Sequence, residues 1–106
     1  MIIAIDYDNT LSLKPEMWKK ILPIYKEYGF RLYVVTSRYA QDGGCWGIRV
    51  NNSDMDWVLP FVDKVIFCCG LQKRPYCTNL GISPAFWIDD LPETIIELPN
   101  DKRSFR

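Results

Sequence analysis

The residues able to do chemistry in this sequence each follow an apolar run. Asp6 and Asp8 close Ile2–Ile5, with Asn9 and Thr10 beside them; Thr36, Ser37 and Arg38 close Leu32–Val35. Lys73 comes shortly after Val65–Cys69, and Asp89 with Asp90 closes Ala85–Ile88. Short apolar runs bounded by polar residues read as buried strands, and in an open parallel sheet ligands bind outside the carboxyl ends of the strands. The order therefore delivers acids, hydroxyls and a lysine to one rim. Carboxylates crowded there repel one another unless a cation intervenes, and an all-oxygen donor set suits Mg²⁺ rather than zinc or copper. The chain has no histidine. That excludes Ser-His-Asp and Cys-His catalysis and His-ligated metals, and leaves acid–base work to carboxylates, Lys, Tyr or Cys. Singly, each residue has an ordinary structural use: Asp-x-Asp in a turn, Thr36 as a helix cap, Lys73 as a solvated charge, Asp89-Asp90 as a helix start. Their joint placement and order are what point to a site.

The elements that must position them follow from periodicity. A strand is expected over Ile2–Asp6, then a turn through Asp8, Asn9 and Thr10. Trp18, Ile21, Leu22, Tyr25 and Tyr28 recur at helical spacing, which predicts a helix from Pro15 to Tyr28 with Pro15 in its first turn and Gly29 as its stop. Pro23 lacks an amide donor and clashes with the preceding turn, which predicts a kink or break. Leu32–Thr36 reads as the second strand. Gly43, Gly44 and Gly47 mark a loop, and Gly47–Asn52 reads as a further short strand or as irregular chain. Ser53 is suited to cap a brief helix through Leu59. Val65–Cys69 is the third strand, a short helix around Arg74–Leu80 ends at Gly81, and Ala85–Ile88 is the fourth. Strands alternating with helical connections predict an α/β fold with a mainly parallel sheet. The tail from Asn100 to Arg106 is expected to fray.

Composition bounds the answer. At 106 residues the chain is expected to form one domain over 1–106, and 48% hydrophobic with 14% aromatic residues is globular rather than disordered. Thirteen basic and thirteen acidic side chains cancel, so no overall charge draws the protein to nucleic acid or to an anionic membrane. No apolar run approaches the roughly 18 residues of a membrane span. Asp6 interrupts the apolar start too early for a secretory signal, so no membrane association and a cytoplasmic location are expected. Cys45, Cys68, Cys69 and Cys77 form no C-x-x-C pair, and two of them are adjacent in an apolar run. Buried or incidental thiols are expected rather than disulfides or a metal site.

Together these segments resemble the motifs of the haloacid dehalogenase-like (HAD) hydrolase superfamily. Ile2-Ile3-Ala4-Ile5-Asp6-Tyr7-Asp8-Asn9-Thr10-Leu11 resembles its first motif, an apolar strand followed by Asp-x-Asp-x-Thr. Leu32–Thr36 resembles the second, Lys73 the third, and Trp87-Ile88-Asp89-Asp90 the fourth, in the family's order and over residues 2 to 92. The resemblance implies a three-layer α/β/α Rossmann-like core and a Mg²⁺-dependent phosphohydrolase working through an aspartyl-phosphate. It implies Asp6 as nucleophile, Asp8 as general acid and base, Thr36 as a phosphoryl contact and Lys73 as the charge balancing Asp6. The metal would be held by Asp6, Asp89, Asp90 and the main-chain carbonyl of Asp8, and the phosphorylated substrate would meet Asn9, Thr10, Ser37 and Arg38. Asp8 favours phosphoryl transfer, because dehalogenases of the family lack that second acid. Pro75, in the short helix after Lys73, bears on where that lysine lands.

Neither slot used by the family for a cap domain has room for one, which implies an open site. In such capless relatives open sites often serve macromolecular phosphates, such as nucleic-acid ends or phosphoproteins, or borrow a lid from another subunit, and the substrate is left as a small molecule or a nucleic-acid end. Arg38, Arg49, Lys73 and Arg74 with Tyr39 and Trp46 would rim it, or are scattered surface residues. Oligomeric state is left open. Two other readings stand beside the phosphatase: a catalytically weak or inactive HAD-like binding module, and a receiver-like phospho-acceptor domain. The receiver places its paired acids early, the reverse of the order here.

Overall fold

The computed structural model describes residues 1–96, and the expected fraying of Asn100–Arg106 lies outside the described residues. Strands β1 (Ile2–Ile5), β2 (Arg31–Thr36), β3 (Lys64–Phe67) and β4 (Phe86–Ile88) form one sheet. Their order is β3-β2-β1-β4, and every pairing is parallel. Helix α1 (Pro15–Glu27) joins β1 to β2, a 3₁₀ helix (Ser53–Phe61) lies between β2 and β3, and α2 (Lys73–Asn79) joins β3 to β4. The protein is thus α/β with an all-parallel sheet, as the alternating pattern predicts, and is consistent with a Rossmann-like fold.

Side chains alternate across the sheet with a period of two. Ile3, Ile5, Leu32 and Val34 pack with Trp18 and Leu22 of α1 and with Met55 and Val58 of the 3₁₀ helix. Ala4, Tyr33, Val35 and Ile66 pack in a second cluster with Cys68 and with Cys77 of α2. Burial on both faces explains why the strands read as unbroken apolar runs instead of alternating ones. The chain winds from β1 outwards to β3 and then crosses back to place β4 on the other flank of β1. The strand order reverses between β1 and β4, where a crevice forms at the carboxyl ends. Register sets the level of that crevice: Ile5 lies opposite both Val34 and Ile88, so Asp6 and Asp89 emerge side by side.

Three expectations are corrected. Pro23 does not break α1, which runs on to Glu27. Pro23 is exposed, so the Lys19 carbonyl that loses its amide partner lies on the solvent side, where water can take the amide's place. Ser53 caps nothing: its own N–H donates to Asn51 Oδ1 at 2.8 Å, Asn52 stands at the cap position, and the helix that follows is 3₁₀ and extends to Phe61. The cysteines are not all thiols. Cys45 and Cys69 form a disulfide across a separation of 24 residues, tying the loop after β2 to the end of β3. Cys68 and Cys77 are buried thiols, and burial pushes Cys68 up to about 12 and raises Cys77 as well. The two cysteines lie beyond the end of β3, where Cys69 takes φ 56°, and the chain turns between them: Cys68 packs in the second core cluster and Cys69 enters the disulfide. The stretch Gly47–Asn52 is irregular, with an isolated antiparallel bridge between Cys45 and Ile48.

Candidate active site

Asp6 is the first residue beyond β1, and its N–H donates to the Ile88 carbonyl at 2.9 Å, which stitches the β1 and β4 ends together. The chain then makes a wide turn, Tyr7–Leu11, closed by the Ser12 N–H on the Tyr7 carbonyl at 2.9 Å. Buried Tyr7 and Leu11 anchor the turn from below. Asn9 has φ 59°, the left-handed region that asparagine tolerates better than most residues, and its N–H donates to Ser12 Oγ at 3.0 Å. Trp18 of α1 donates its indole N–H to the Thr10 carbonyl at 3.1 Å, so the helix start holds the turn from the side.

Lys73 opens α2. Pro75 falls in the first turn of that helix, where a proline's missing N–H has no intrahelical partner to lose, and the lysine is carried into the site. Its side chain is 2% exposed, and Nζ donates to Asp6 Oδ1 at 3.0 Å and to Asp89 Oδ2. Asp90 completes the group: Asp6, Asp89 and Asp90 each offer a carboxylate oxygen within 4.8 Å of the others. Burial pushes Asp6 up to about 6; Asp90 and Asp89 add to the rise and Lys73 opposes it. Burial draws the Lys73 amine down, but its bonds and charge contacts with Asp89 and Asp6 outweigh that and hold it above the ordinary lysine value.

The acid group suits a small hard cation. Lys73 takes one oxygen of Asp6 and one of Asp89, and the Leu91 N–H takes the other oxygen of Asp89 at 2.9 Å. Among the described residues, that leaves Asp6 Oδ2, whose one hydrogen-bond donor is Thr10 Oγ1 at 3.5 Å, and the Asp90 carboxylate facing the group. One lysine against three carboxylates leaves a local negative excess that a divalent ion would neutralise. An open groove of about 350 Å³ adjoins the acids, lined by Asn9, Thr10, Asp89 and Asp90 and floored by Met17, Trp18 and Ile88.

The second-strand residues stand on the opposite side of Asp6. Thr36 is fully buried and its Oγ1 accepts the Arg38 N–H at 3.2 Å. The Ser37 carbonyl accepts the Gly70 N–H at 2.9 Å, and that of Arg38 the Cys69 N–H at 3.2 Å, so the disulfide-bearing loop braces this segment. Arg38 does not point an unused donor at the site. Its Nε and Nη2 bind both Asp8 oxygens, at 2.9 and 2.7 Å, and its Nη1 and Nη2 bind both Asp54 oxygens, at 2.8 and 2.7 Å. Nη1 also donates to Asn52 Oδ1 at 3.2 Å, and the guanidinium lies over the Tyr7 ring, 5.0 Å from its centroid. Asp54 and Asp8 push Arg38 above its ordinary value, and the Arg38 bond holds Asp54 below the usual carboxylate range.

Of the residues singled out in the sequence, the structure brings Asp6, Lys73, Asp89 and Asp90 into one cluster, with Thr10 beside it. The Asp8 carboxylate lies outside that cluster, half-exposed and bound to Arg38. Asp54 and Asn52 are the residues that sequence reasoning missed. Neither sits at a strand end or in a recognisable motif, and their partner is 16 and 14 residues away. No family model matches this chain, and no curated protein or solved structure matches it either. Among the described residues, no helix is long and apolar enough to cross a membrane.

Proposed function

We propose that the protein is a Mg²⁺-dependent phosphomonoester hydrolase of the HAD type, acting through an aspartyl-phosphate on Asp6. The observation that carries this reading is the buried Lys73 bridging Asp6 and Asp89 where the strand order reverses, with Asp90 alongside. A nucleophilic carboxylate facing a phosphoryl dianion must have its own repulsion cancelled, and an internal lysine together with a divalent cation supplies that. Asp6, Asp89 and Asp90 would hold the ion with the Asp8 main-chain carbonyl, and the ion would shield the acids from the substrate. The two core clusters on opposite sheet faces support a three-layer core, and the brief link from the Tyr7–Leu11 turn to α1 at Pro15 supports a capless one.

In this reading a carboxylate oxygen of Asp6 attacks phosphorus, the bond from phosphorus to the leaving oxygen breaks, and Asp8 protonates that oxygen. Asp8 then takes a proton from water, which attacks phosphorus and releases inorganic phosphate and free Asp6. Thr36 Oγ1 accepts from the Arg38 N–H and keeps its own proton to donate to a phosphoryl oxygen. Lys73 stays paired with Asp6 and balances charge as the phosphoryl group arrives. The substrate class is a phosphate monoester of a small molecule or a nucleic-acid end. The cytoplasmic location expected of the sequence pulls against the Cys45–Cys69 bond, because disulfides persist mainly in oxidising compartments. Trapping the thiols by alkylation in cell extracts decides between the two.

The test is release of phosphate from an aryl phosphate and from a panel of nucleotides, phosphorylated oligonucleotides and phosphopeptides, with Mg²⁺ and with chelator. The expected result is Mg²⁺-dependent turnover that Asp6→Asn abolishes. Wild-type turnover no greater than that of Asp6→Asn on every substrate would sink the proposal.

A further inference from the structure

All five N–H donors of Arg38 are committed, to Asp8, Asp54 and Asn52. Among the described residues every side-chain hydrogen bond that Asp8 accepts comes from this one guanidinium. Asp8 is half-exposed, in a turn at extended φ and ψ, and among the described residues no other hydrogen bond restricts where its carboxylate points. Arg38, by contrast, is located from several sides. Asp54 grips it with two bonds, Asn52 adds a third while donating Nδ2–H to the Tyr39 carbonyl at 2.9 Å, and the Tyr7 ring supports its face. The 3₁₀ helix that bears Asp54 is itself locked to the same turn. Tyr7 Oη–H donates to the Asp54 carbonyl at 2.7 Å, and Trp57 Nε1–H donates to Tyr7 Oη at 2.9 Å.

We infer that Asp54 is a positioning residue, which fixes the Asp8 carboxylate through Arg38. The inference rests on the proposed role of Asp8 as the acid and base of phosphoryl transfer. A carboxylate has about four lone-pair sites, so the two Asp8 oxygens can accept from Arg38 and still meet a leaving group or a water. A catalytic group held by such a network works because its supporting shell restricts it, and small misplacements are expensive in rate. Asp54 is not a member of the acid cluster, so on this inference its removal is felt through Asp8.

The test is a double-mutant cycle on kcat for an aryl phosphate with Mg²⁺. Asp54→Asn should lower kcat by about tenfold with KM within about twofold, and in an Asp8→Asn background the same substitution should change kcat by less than about twofold. Equal losses in both backgrounds, or no loss in the first, overturn the inference. A melting curve separates misfolding from misplacement, because a half-exposed ion pair contributes little to stability and the Asp54→Asn protein should melt close to wild type. If wild type turns over no phosphate ester, the phosphatase reading fails, and the positioning claim is judged by NMR. There, Asp54→Asn should speed exchange of the Arg38 Nε–H and move the Asp8 Cγ resonance. Both resonances unmoved would overturn it.

Discussion

Replacing Asp6 with asparagine should stabilise the metal-free protein at neutral pH while abolishing activity. Asp6 shares a buried corner with Asp89, Asp90 and a single lysine, and its carboxyl is pushed from 3.8 to about 6, chiefly by burial. A folded-state value above the unfolded one means the native protein binds that proton more tightly. Stability from this group is therefore fully present below about pH 4 and is lost as pH rises through about 6. At about 1.4 kcal/mol per unit, the neutral-pH penalty approaches about 3 kcal/mol. Asparagine keeps an oxygen to accept from Lys73 and gains an N–H that Asp90 can accept, without the charge. The expected gain is about 1 to 3 kcal/mol, which for a domain of this size is a rise in Tm of at least about 4 °C. Calorimetry in the presence of chelator measures it, and the gain should shrink towards zero near about pH 4.5. Addition of Mg²⁺ should then narrow the neutral-pH gap, by binding wild type more tightly than the variant. A variant that melts at or below wild type at about pH 7.5, or a gain that is the same at both pH values, would refute the reasoning.

Three further outcomes follow from other parts of the molecule. Lys73→Met leaves Asp6 and Asp89 buried without their cation and should cost about 3 to 5 kcal/mol, part of it recovered by adding Asp6→Asn, as chemical denaturation of the single and double variants will show. Reducing the Cys45–Cys69 bond removes the cross-link on a 24-residue separation and should lower stability by about 3 kcal/mol; mass spectrometry with and without reductant should find one bond, with Cys68 and Cys77 alkylated only on unfolding. Pro23→Ala restores a donor for the Lys19 carbonyl in a helix that already runs through the position, and should raise stability by about 1 to 3 kcal/mol in a denaturant melt.

The acid cluster was legible because its members are local to strand ends. Asp6 and Asp89 each follow directly on an apolar run, and parallel pairing with β1 in the middle brings those two ends together whatever the loops do. Lys73 was legible only as a motif: its burial depends on how α2 lies against the sheet, which periodicity does not show. The Asp8–Arg38–Asp54 arrangement was invisible, since Asp54 lies in a polar stretch without a motif and its partner comes from another element. The disulfide was missed for a similar reason. Its loop folds back over the β3 end, and adjacent cysteines in an apolar run look alike until the strand ends at Phe67 and a left-handed turn at Cys69 separates them. Pro23 misled because a local rule about helix interiors takes no account of which side of the helix the residue faces.

The internal lysine bears on the order in which this protein is made. Metal-dependent folds such as zinc fingers stay unstructured until their ion arrives. Here Lys73 already draws β1, β4 and α2 together through Asp6 and Asp89, so the chain carries its own provisional counter-charge. If the proposed Mg²⁺-dependent activity holds, the protein would finish folding in a metal-poor setting and become competent once a divalent ion entered a pocket already built. On that reading, loading would govern when the site switches on and would leave the fold as it stands.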